Sequence, residues 1–277
     1  MALIDAALAR AGDEGYEITF YSRASGARRA LASFDLRNAD RVAVEKHDLQ
    51  LNEVRRFRGV SLDWLLQRSP SPRDVDTALL CFRNGMRIPV PLDPVALAAI
   101  DAFVATEIGG PDGWEQTFPE IRRRRAWIAD PRPIAFARNK VVVSEPGLPR
   151  LPAGTAEVFS PWMHADTLVA IELVSREKYE AAFPNGITPE ARRGREVFLS
   201  RCQYCHGIDG GGAAFGWDFT KPIALYRWRS PSSLWAHVRF QNADAVEKGY
   251  LMPPQPDVET SEIDDLWAWM RFVGREP

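Results

Sequence analysis

The sequence predicts two domains, an α+β domain over residues 1–184 and an all-α domain over residues 188–277. The chain has 277 residues, close to twice the usual length of one domain. Strand-like alternation is confined to the first part, whereas helix-like segments with glycine- and proline-rich connections fill the last part. Between them, residues 184–186 read Pro-Asn-Gly and break regular structure, and Thr188 followed by Pro189 is typical of a helix start.

The composition of the chain is that of a globular protein, and its charge and apolar runs exclude several other classes. With 45% hydrophobic and 26% charged residues, the chain has the composition of a globular protein. Its formal net charge of -2 argues against a nucleic-acid partner. The longest apolar stretch, residues 95–105, is interrupted by Asp101 and is too short for a transmembrane segment. Residues 1–11 lack a basic start, so they make a poor signal peptide, and we expect any export signal to have been removed.

The first elements of the α+β domain are two strands and a short helix. Residues 16–21 and 41–44 alternate in polarity and are rich in β-branched or aromatic side chains, which predicts strands. Ser61 can cap a helix in which Leu62, Leu65 and Leu66 share one face.

The rest of this domain is predicted from turn residues and apolar runs. Residues 77–81 and 86–91 flank Asn84 and Gly85, a pair that favours a hairpin turn. Residues 93–108 are predicted to form a helix, and residues 140–143 and 168–174 are predicted to form strands.

The second domain is predicted to consist of helices over residues 189–203, 231–241 and 261–273. Five of the nine tryptophans of the chain lie in its last 61 residues. So high an aromatic content in a short segment suggests that a large flat group is buried there.

Residues 202–206 read Cys-Gln-Tyr-Cys-His, the C-x-x-C-H signature of covalent c-type haem attachment. Two cysteines three apart lie on one face of a helical turn, where their sulfurs can reach the two vinyl groups of one porphyrin. His206 would then lie under the ring and ligate the iron. A redox dithiol and a zinc site are the alternatives, although the first usually has a βαβ context and the second needs two further ligands.

A second axial ligand has three candidates downstream of the motif. Met270 falls on an apolar helical stripe and is predicted to be part of the core, and His237 is more simply a satisfied histidine on a helix. Met252 precedes two prolines, which would hold its loop rigid, and it is the candidate we favour.

Residues 188–277 resemble class I cytochromes c. The matching pieces are residues 194–198, the haem motif with Gly207, the glycines at 210–212, Met252-Pro253 and residues 265–270. The resemblance implies one covalent haem c, outer-sphere electron transfer, and His206 and Met252 as axial ligands. Trp228 and Arg229 are candidates for hydrogen bonds to haem propionates, with a solvated cationic loop as the alternative.

Residues 16–180 resemble the molybdopterin-binding fold of the sulfite oxidase family. The resemblance is carried by residues 57–66, 87–92, 162–168 and 171–173, which are mostly apolar. Active members supply a cysteine thiolate to molybdenum, but no cysteine precedes Cys81 here. Cys81 lies in an apolar run typical of an inert buried thiol. We therefore expect a related fold without molybdopterin.

Together these features favour a periplasmic electron carrier over a catalyst. The N-terminal domain would dock a redox partner, a dehydrogenase or another cytochrome. The alternative is a molybdopterin-dependent oxidoreductase that oxidises sulfite or a related small oxyanion and passes electrons to its own haem. A haem sensor, which would need an absent or labile Met252, is the third hypothesis.

Overall fold

The computed structural model describes residues 16–22, 29–48, 53–69, 74–110, 113–115, 139–143, 162, 167–239, 252 and 255–275. They fall into two compact units, one formed mainly by residues up to 176 and the other by residues 85–87 and 177–277. No helix in the described ranges combines the length and the apolar character needed to cross a membrane.

The first unit is built mainly of strands. Its described strands are β1 (Glu17–Ser22), β2 (Arg29–Asp35), β3 (Val42–Asp48), β4 (Glu53–Ser61), β5 (Thr77–Phe82), β6 (Arg87–Pro91), β7 (Phe103–Gly110), β8 (Gly113–Glu115), β9 (Lys140–Val142) and β10 (Leu168–Val174). Its described α-helices are α1 (Leu62–Leu66) and α2 (Pro94–Ile100).

These strands form two sheets. The first sheet has the strand order β2-β1-β10-β5-β6, and its strands β1 and β10 run parallel. Every residue of β5 and of β10 is buried. The second has the order β3-β4-β7-β8, with β9 also paired to β7. Buried Phe57, Phe103 and Ile108 belong to a core cluster on this second sheet.

Local sequence signals explain several of these elements. Ser61 caps α1, since its hydroxyl accepts a hydrogen bond from the Trp64 N–H at 3.0 Å. Gly85 has a φ of +91° in the turn between β5 and β6, as the Asn-Gly pair predicts. The predicted strands over residues 16–21, 41–44, 140–143 and 168–174 are confirmed by β1, β3, β9 and β10.

The predicted helix over residues 93–108 is wrong beyond its first half. Helix α2 ends at Ile100 because Asp101 adopts a left-handed conformation, with a φ of +45°. Residues 103–110 instead form β7, whose strand neighbours include β4, β8 and β9. Its first six residues are all buried, so the sequence lacks the alternation that distinguishes a half-exposed strand from a helix.

A buried ion pair joins β9 to the end of β3. Lys140 Nζ lies 2.6 Å from Asp48 Oδ2, and the two side chains are 3% and 0% exposed. Nearby, the Asn139 side chain exchanges two hydrogen bonds with the backbone of Leu168, at 2.8 and 2.9 Å, and so ties the start of β9 to β10. Three buried polar side chains of the first unit, those of Asp48, Lys140 and Asn139, are therefore paired across strands.

The second unit is mainly helical. Its described elements are α3 (Arg176–Glu180), α4 (Pro189–Val197), a π-helical turn (Phe198–Cys202), β11 (Gly207–Ile208), β12 (Gly211–Gly212), a 3-10 turn (Leu225–Arg227), α5 (Pro231–Arg239) and α6 (Thr260–Val273). The all-α prediction needs one correction, because residues 207–212 form a two-stranded hairpin. Glycine backbones approach closely there, as Gly207 pairs with Gly212.

The unit begins before the predicted boundary at residues 184–188. Its main stretch starts at Glu177, because residues 177–183 pack with the later helices. The Arg195 side chain donates hydrogen bonds to the carbonyls of Phe183 and Glu180, at 2.8 and 3.1 Å, and the Phe183 ring lies 5.2 Å from that of Phe198.

Helices α4 and α6 cross at Gly194. A Cβ on this residue would lie 2.0 Å from the Asp265 carbonyl oxygen, so only glycine allows the two backbones to approach this closely. Beside the crossing, Arg193 binds Asp265 through two hydrogen bonds of 2.7 and 2.8 Å. The Trp269 ring lies 4.8 Å from Phe198 and completes the packing.

Replacing Lys140 with methionine should destabilise the first unit by about 3–5 kcal/mol, because it leaves the Asp48 carboxylate buried without its cation. Urea unfolding followed by far-ultraviolet circular dichroism measures the change. Glu45→Gln, at an exposed position on β3, is the matched control and should change stability by less than about 0.5 kcal/mol. Equal effects of the two substitutions would contradict this role for the pair.

Candidate functional site

The residues of the C-x-x-C-H motif lie on one tight turn that continues α4. The Cys205 and His206 N–H groups both donate to the Cys202 carbonyl, at 3.1 and 2.9 Å. This turn brings the two thiols and the imidazole together, as the spacing predicts. It also sets their directions, because the π-helical turn from Phe198 to Cys202 leads directly into it.

The two thiols are in an apolar environment. Burial raises the pKa of both Cys202 and Cys205 to about 12, so both are protonated at neutral pH. A redox dithiol needs an accessible thiolate, which this environment disfavours. No cluster of three or more His, Cys, Asp or Glu side chains in the described ranges could hold a metal ion by itself, which leaves the zinc alternative without a ligand set there.

His206 has a defined orientation. Its Nδ1 lies 2.8 Å from the backbone carbonyl oxygen of Trp217. A carbonyl oxygen can only accept a hydrogen bond, so Nδ1 must carry the proton and donate it. In the neutral ring, Nε2 then keeps its lone pair, which is the arrangement of a histidine ligand whose other nitrogen is held by the protein.

Electrostatics favour this neutral ring. Burial lowers the pKa of His206 below its usual value, whereas the hydrogen bond to Trp217 acts in the opposite direction and the nearby His237 lowers the pKa further. His237 is itself half-buried on α5, and burial and the charge of Arg229 lower its pKa as well. A neutral imidazole is the form of histidine that can ligate a metal ion.

Gly216 lies directly against the His206 imidazole. A Cβ at this position would be 2.5 Å from Cε1 and 2.7 Å from Nδ1 of the ring, closer than a side chain can approach. The Gly216 N–H donates to the Cys205 carbonyl at 2.7 Å. Because Gly216 has no side chain, its backbone can lie against the His206 ring and bind the Cys205 carbonyl at the same time.

Asp218 holds the loops around the turn. Its carboxylate accepts hydrogen bonds from the N–H of Gly210 at 2.7 Å and from the N–H of Thr220 at 2.8 Å. It also accepts from the Thr220 hydroxyl and the Lys221 N–H, at 2.7 and 3.1 Å. One side chain thus connects the hairpin that follows the motif to the segment that contacts His206.

Aromatic rings link the imidazole to the helix crossing. The Phe219 ring lies 4.9 Å from His206 and 5.3 Å from Phe198, which in turn contacts Trp269. Phe219, Phe198 and Trp269 are all buried. The site therefore rests on the same core that holds α4 and α6 together.

The structure describes the surroundings of the other predicted site residues only in part. Met252 is half-buried, but residues 240–251 and 253–254 around it lie outside the described ranges, so its ligation stays a prediction. Met270 is fully buried, and the Arg229 guanidinium lies 4.9 Å from the Trp228 ring centroid. Contact of Trp228 or Arg229 with haem propionates also stays a prediction.

Gly216, Trp217 and Asp218 are functional residues that the sequence reasoning missed. Gly216 and Trp217 contact His206 through their backbone from about ten positions away along the chain, and Asp218 binds the backbone of Gly210 in the hairpin that follows the motif. Contacts made through backbone groups cannot be predicted from the spacing of residue types along the sequence. The only signal is the short Gly-Trp-Asp run itself.

A family model described as "Cytochrome C oxidase, cbb3-type, subunit III" matches residues 189–270. Comparisons with curated proteins and with solved structures gave no significant match. The matched range contains the whole turn, Gly216 and Asp218. It supports a cytochrome c domain in the C-terminal part of the chain, and that family implies covalently bound haem c and electron transfer.

The geometry of the turn at residues 202–206 fits a covalently bound haem c. The two thiols share one turn with a histidine whose Nδ1 is engaged and whose Nε2 is available to a metal. Gly216 leaves room for the ring that such a ligand needs.

Substituting alanine for Gly216 should displace the His206 ring and destabilise the second unit by about 1–3 kcal/mol, the usual cost of overpacking. Chemical unfolding followed by haem absorbance measures this, because the absorbance reports the surroundings of the axial ligand. Gly211→Ala is the control, since the nearest atom to its added Cβ would be 3.2 Å away. A Gly216→Ala protein as stable as the control would show that the ring is free to move.

Proposed function

We propose that this chain is an electron-transfer protein that carries one covalent haem c in its C-terminal domain. The observation that carries the proposal is the turn at residues 202–206, where two protonated thiols and a tautomerically fixed histidine lie together. The family match over residues 189–270 supports it independently.

Each residue of the turn has a separate task. Cys202 and Cys205 would form thioether bonds, for which their thiol form is suited, and so fix the porphyrin to the chain. His206 would ligate the iron through Nε2 while its Nδ1 keeps its proton and donates it in a hydrogen bond to the Trp217 carbonyl. When bound, the haem supplies one-electron redox chemistry, and the protein supplies its position and electrostatic environment.

Rigid surroundings suit outer-sphere transfer, in which an electron moves without breaking bonds. The hydrogen bonds of Asp218 fix the loops beside His206, and the Phe219 ring, itself packed on Phe198, lies against the imidazole. Little rearrangement of the protein would then accompany a change in iron charge.

Met252 is proposed as the second axial ligand. A thioether is the usual partner of histidine where a high reduction potential is required. Met252 is half-buried in the second unit, as a ligand that reaches a haem must be, whereas Met270 is fully buried in the core and His237 lies on α5.

For the N-terminal unit we propose a sulfite-oxidase-like scaffold that docks a redox partner, a dehydrogenase or another cytochrome, without molybdopterin. Cys81 supports this, because it is only 5% exposed in the centre of the fully buried strand β5. A thiol held within a sheet is a poor ligand for a cofactor in an open pocket. We place the protein in the periplasm, since a cytochrome c domain is consistent with an extracytoplasmic protein.

Denatured intact mass and metal analysis of the full chain, made in a host that matures c-type cytochromes and is replete in molybdenum, test the proposal. We expect one haem and one iron per chain and no molybdenum. Cys202→Ala and Cys205→Ala should each lower covalent haem content, whereas the control Cys81→Ala should not. A haem-free mass contradicts the electron carrier, and stoichiometric molybdenum with sulfite-dependent haem reduction favours the oxidoreductase.

Replacing Met252 with alanine should lower the reduction potential by roughly 0.1 V or more and open a site for carbon monoxide, because a soft thioether is lost from iron. Redox titration and carbon monoxide difference spectra of the reduced protein measure both effects. His237→Ala should change neither. The opposite pattern would make His237 the axial ligand.

A further inference from the structure

The second unit includes one short stretch from much earlier in the chain, residues 85–87. Met86 and Arg87 in this stretch are only 0% and 8% exposed, so it is not an ordinary surface turn. We call residues 85–87 the buried turn. The family model matches residues 189–270, so the buried turn is a part of this unit that the family match does not cover.

The buried turn binds both arms of the loop that surrounds the axial histidine. One arm is the haem motif, in which the Tyr204 carbonyl accepts a hydrogen bond from the Arg87 N–H at 3.0 Å. The other arm, residues 214–217, we call the return arm, and its Ala214 N–H donates to the Gly85 carbonyl at 2.9 Å. Backbone groups make both bonds, so the turn fixes the two arms independently of side-chain conformation.

The same two arms are joined to each other beside the axial histidine. The Gly216 N–H donates to the Cys205 carbonyl at 2.7 Å, and His206 Nδ1 lies 2.8 Å from the Trp217 carbonyl oxygen. These bonds begin one residue after the motif contact of the buried turn and two residues after its contact with the return arm. A displacement of the buried turn is therefore passed directly to the hydrogen bond of the ring.

Gly85 leaves no spare room between the buried turn and the return arm. A Cβ at Gly85 would lie 2.9 Å from the Ala214 carbonyl carbon and 3.1 Å from the Phe215 nitrogen, both of which are backbone atoms. Backbone atoms cannot swing aside as the end of a flexible side chain can, so a larger residue must move the turn or the arm. The positive φ of Gly85 is a separate requirement, which the Asn-Gly pair predicts.

We propose that the buried turn is a positioning element of the haem site, which sets the hydrogen bond of the axial histidine and through it the reduction potential. The proposal rests on the proposed function, because it assumes that His206 ligates iron. A hydrogen bond from Nδ1 makes a histidine a stronger donor to its metal, and stronger donation favours ferric iron. By holding the return arm against the motif, the buried turn keeps this bond short.

Redox titration of the full-length protein tests this with two glycine-to-alanine variants. Gly85→Ala should weaken the hydrogen bond of the ring, so the equilibrium constant for haem reduction should rise at least about threefold. The Nδ1 resonance of His206 should change with it in nitrogen-15 spectra. Gly113→Ala is the matched control, since Gly113 also has a positive φ, of +129°, and no described atom lies within 4 Å of its added Cβ. It carries the same kind of backbone strain and should leave both readouts unchanged.

Hydrogen exchange in the parent protein tests the same contacts without a substitution. The amides of Arg87 and Ala214 should be protected and should exchange together with that of Gly216, as members of one cooperative unit do. Unprotected exchange at Arg87 and Ala214 would overturn the positioning role. A Gly85→Ala protein with the potential and Nδ1 resonance of the parent would overturn it too, as would equal shifts in both variants, which would assign the effect to turn strain.

These failures would all leave the proposed function standing. A parent protein without covalent haem would instead contradict the proposed function, and the positioning role with it.

Discussion

The hydrogen bond from His206 Nδ1 to the Trp217 carbonyl is the constraint on which the site depends. It fixes the tautomer of the ring, leaves the lone pair on Nε2 and brings the segment after β12 back onto the motif. Gly216 makes this return possible, because a larger residue would collide with the ring that the bond is holding. Asp218 then anchors the same segment to Gly210, so three consecutive residues close the loop around one imidazole.

The two units bury their polar groups in different ways. In the first, Lys140 and Asp48 pair inside the second sheet, and the Asn139 side chain joins β9 to β10. In the second, the buried rings of Phe198, Phe219 and Trp269 pack beside the site, and the Asp218 carboxylate is hydrogen-bonded within its loops. The residues proposed to bind haem are concentrated on one turn of the second unit and the loops beside it.

The sequence predicted the parts of the site that depend on local spacing. The C-x-x-C-H turn and the Thr188–Pro189 helix start depend on residues within about one helical turn, so their signal survives without a structure. The second sheet was predicted only in part: β7 reads as a continuous apolar run, and only its pairing with β4, β8 and β9 makes it a strand. Gly216 and Asp218 were missed for the same reason, since their roles come from contacts between segments distant along the chain.

Nuclear magnetic resonance of the reduced full-length protein with nitrogen-15-labelled histidine tests the central claim most directly. The account predicts that Nδ1 of His206 carries a slowly exchanging proton, held by the Trp217 carbonyl, and that Nε2 carries none and shows the shift of a metal-bound nitrogen. A proton on Nε2, or ring resonances at the positions of a free histidine, would contradict it.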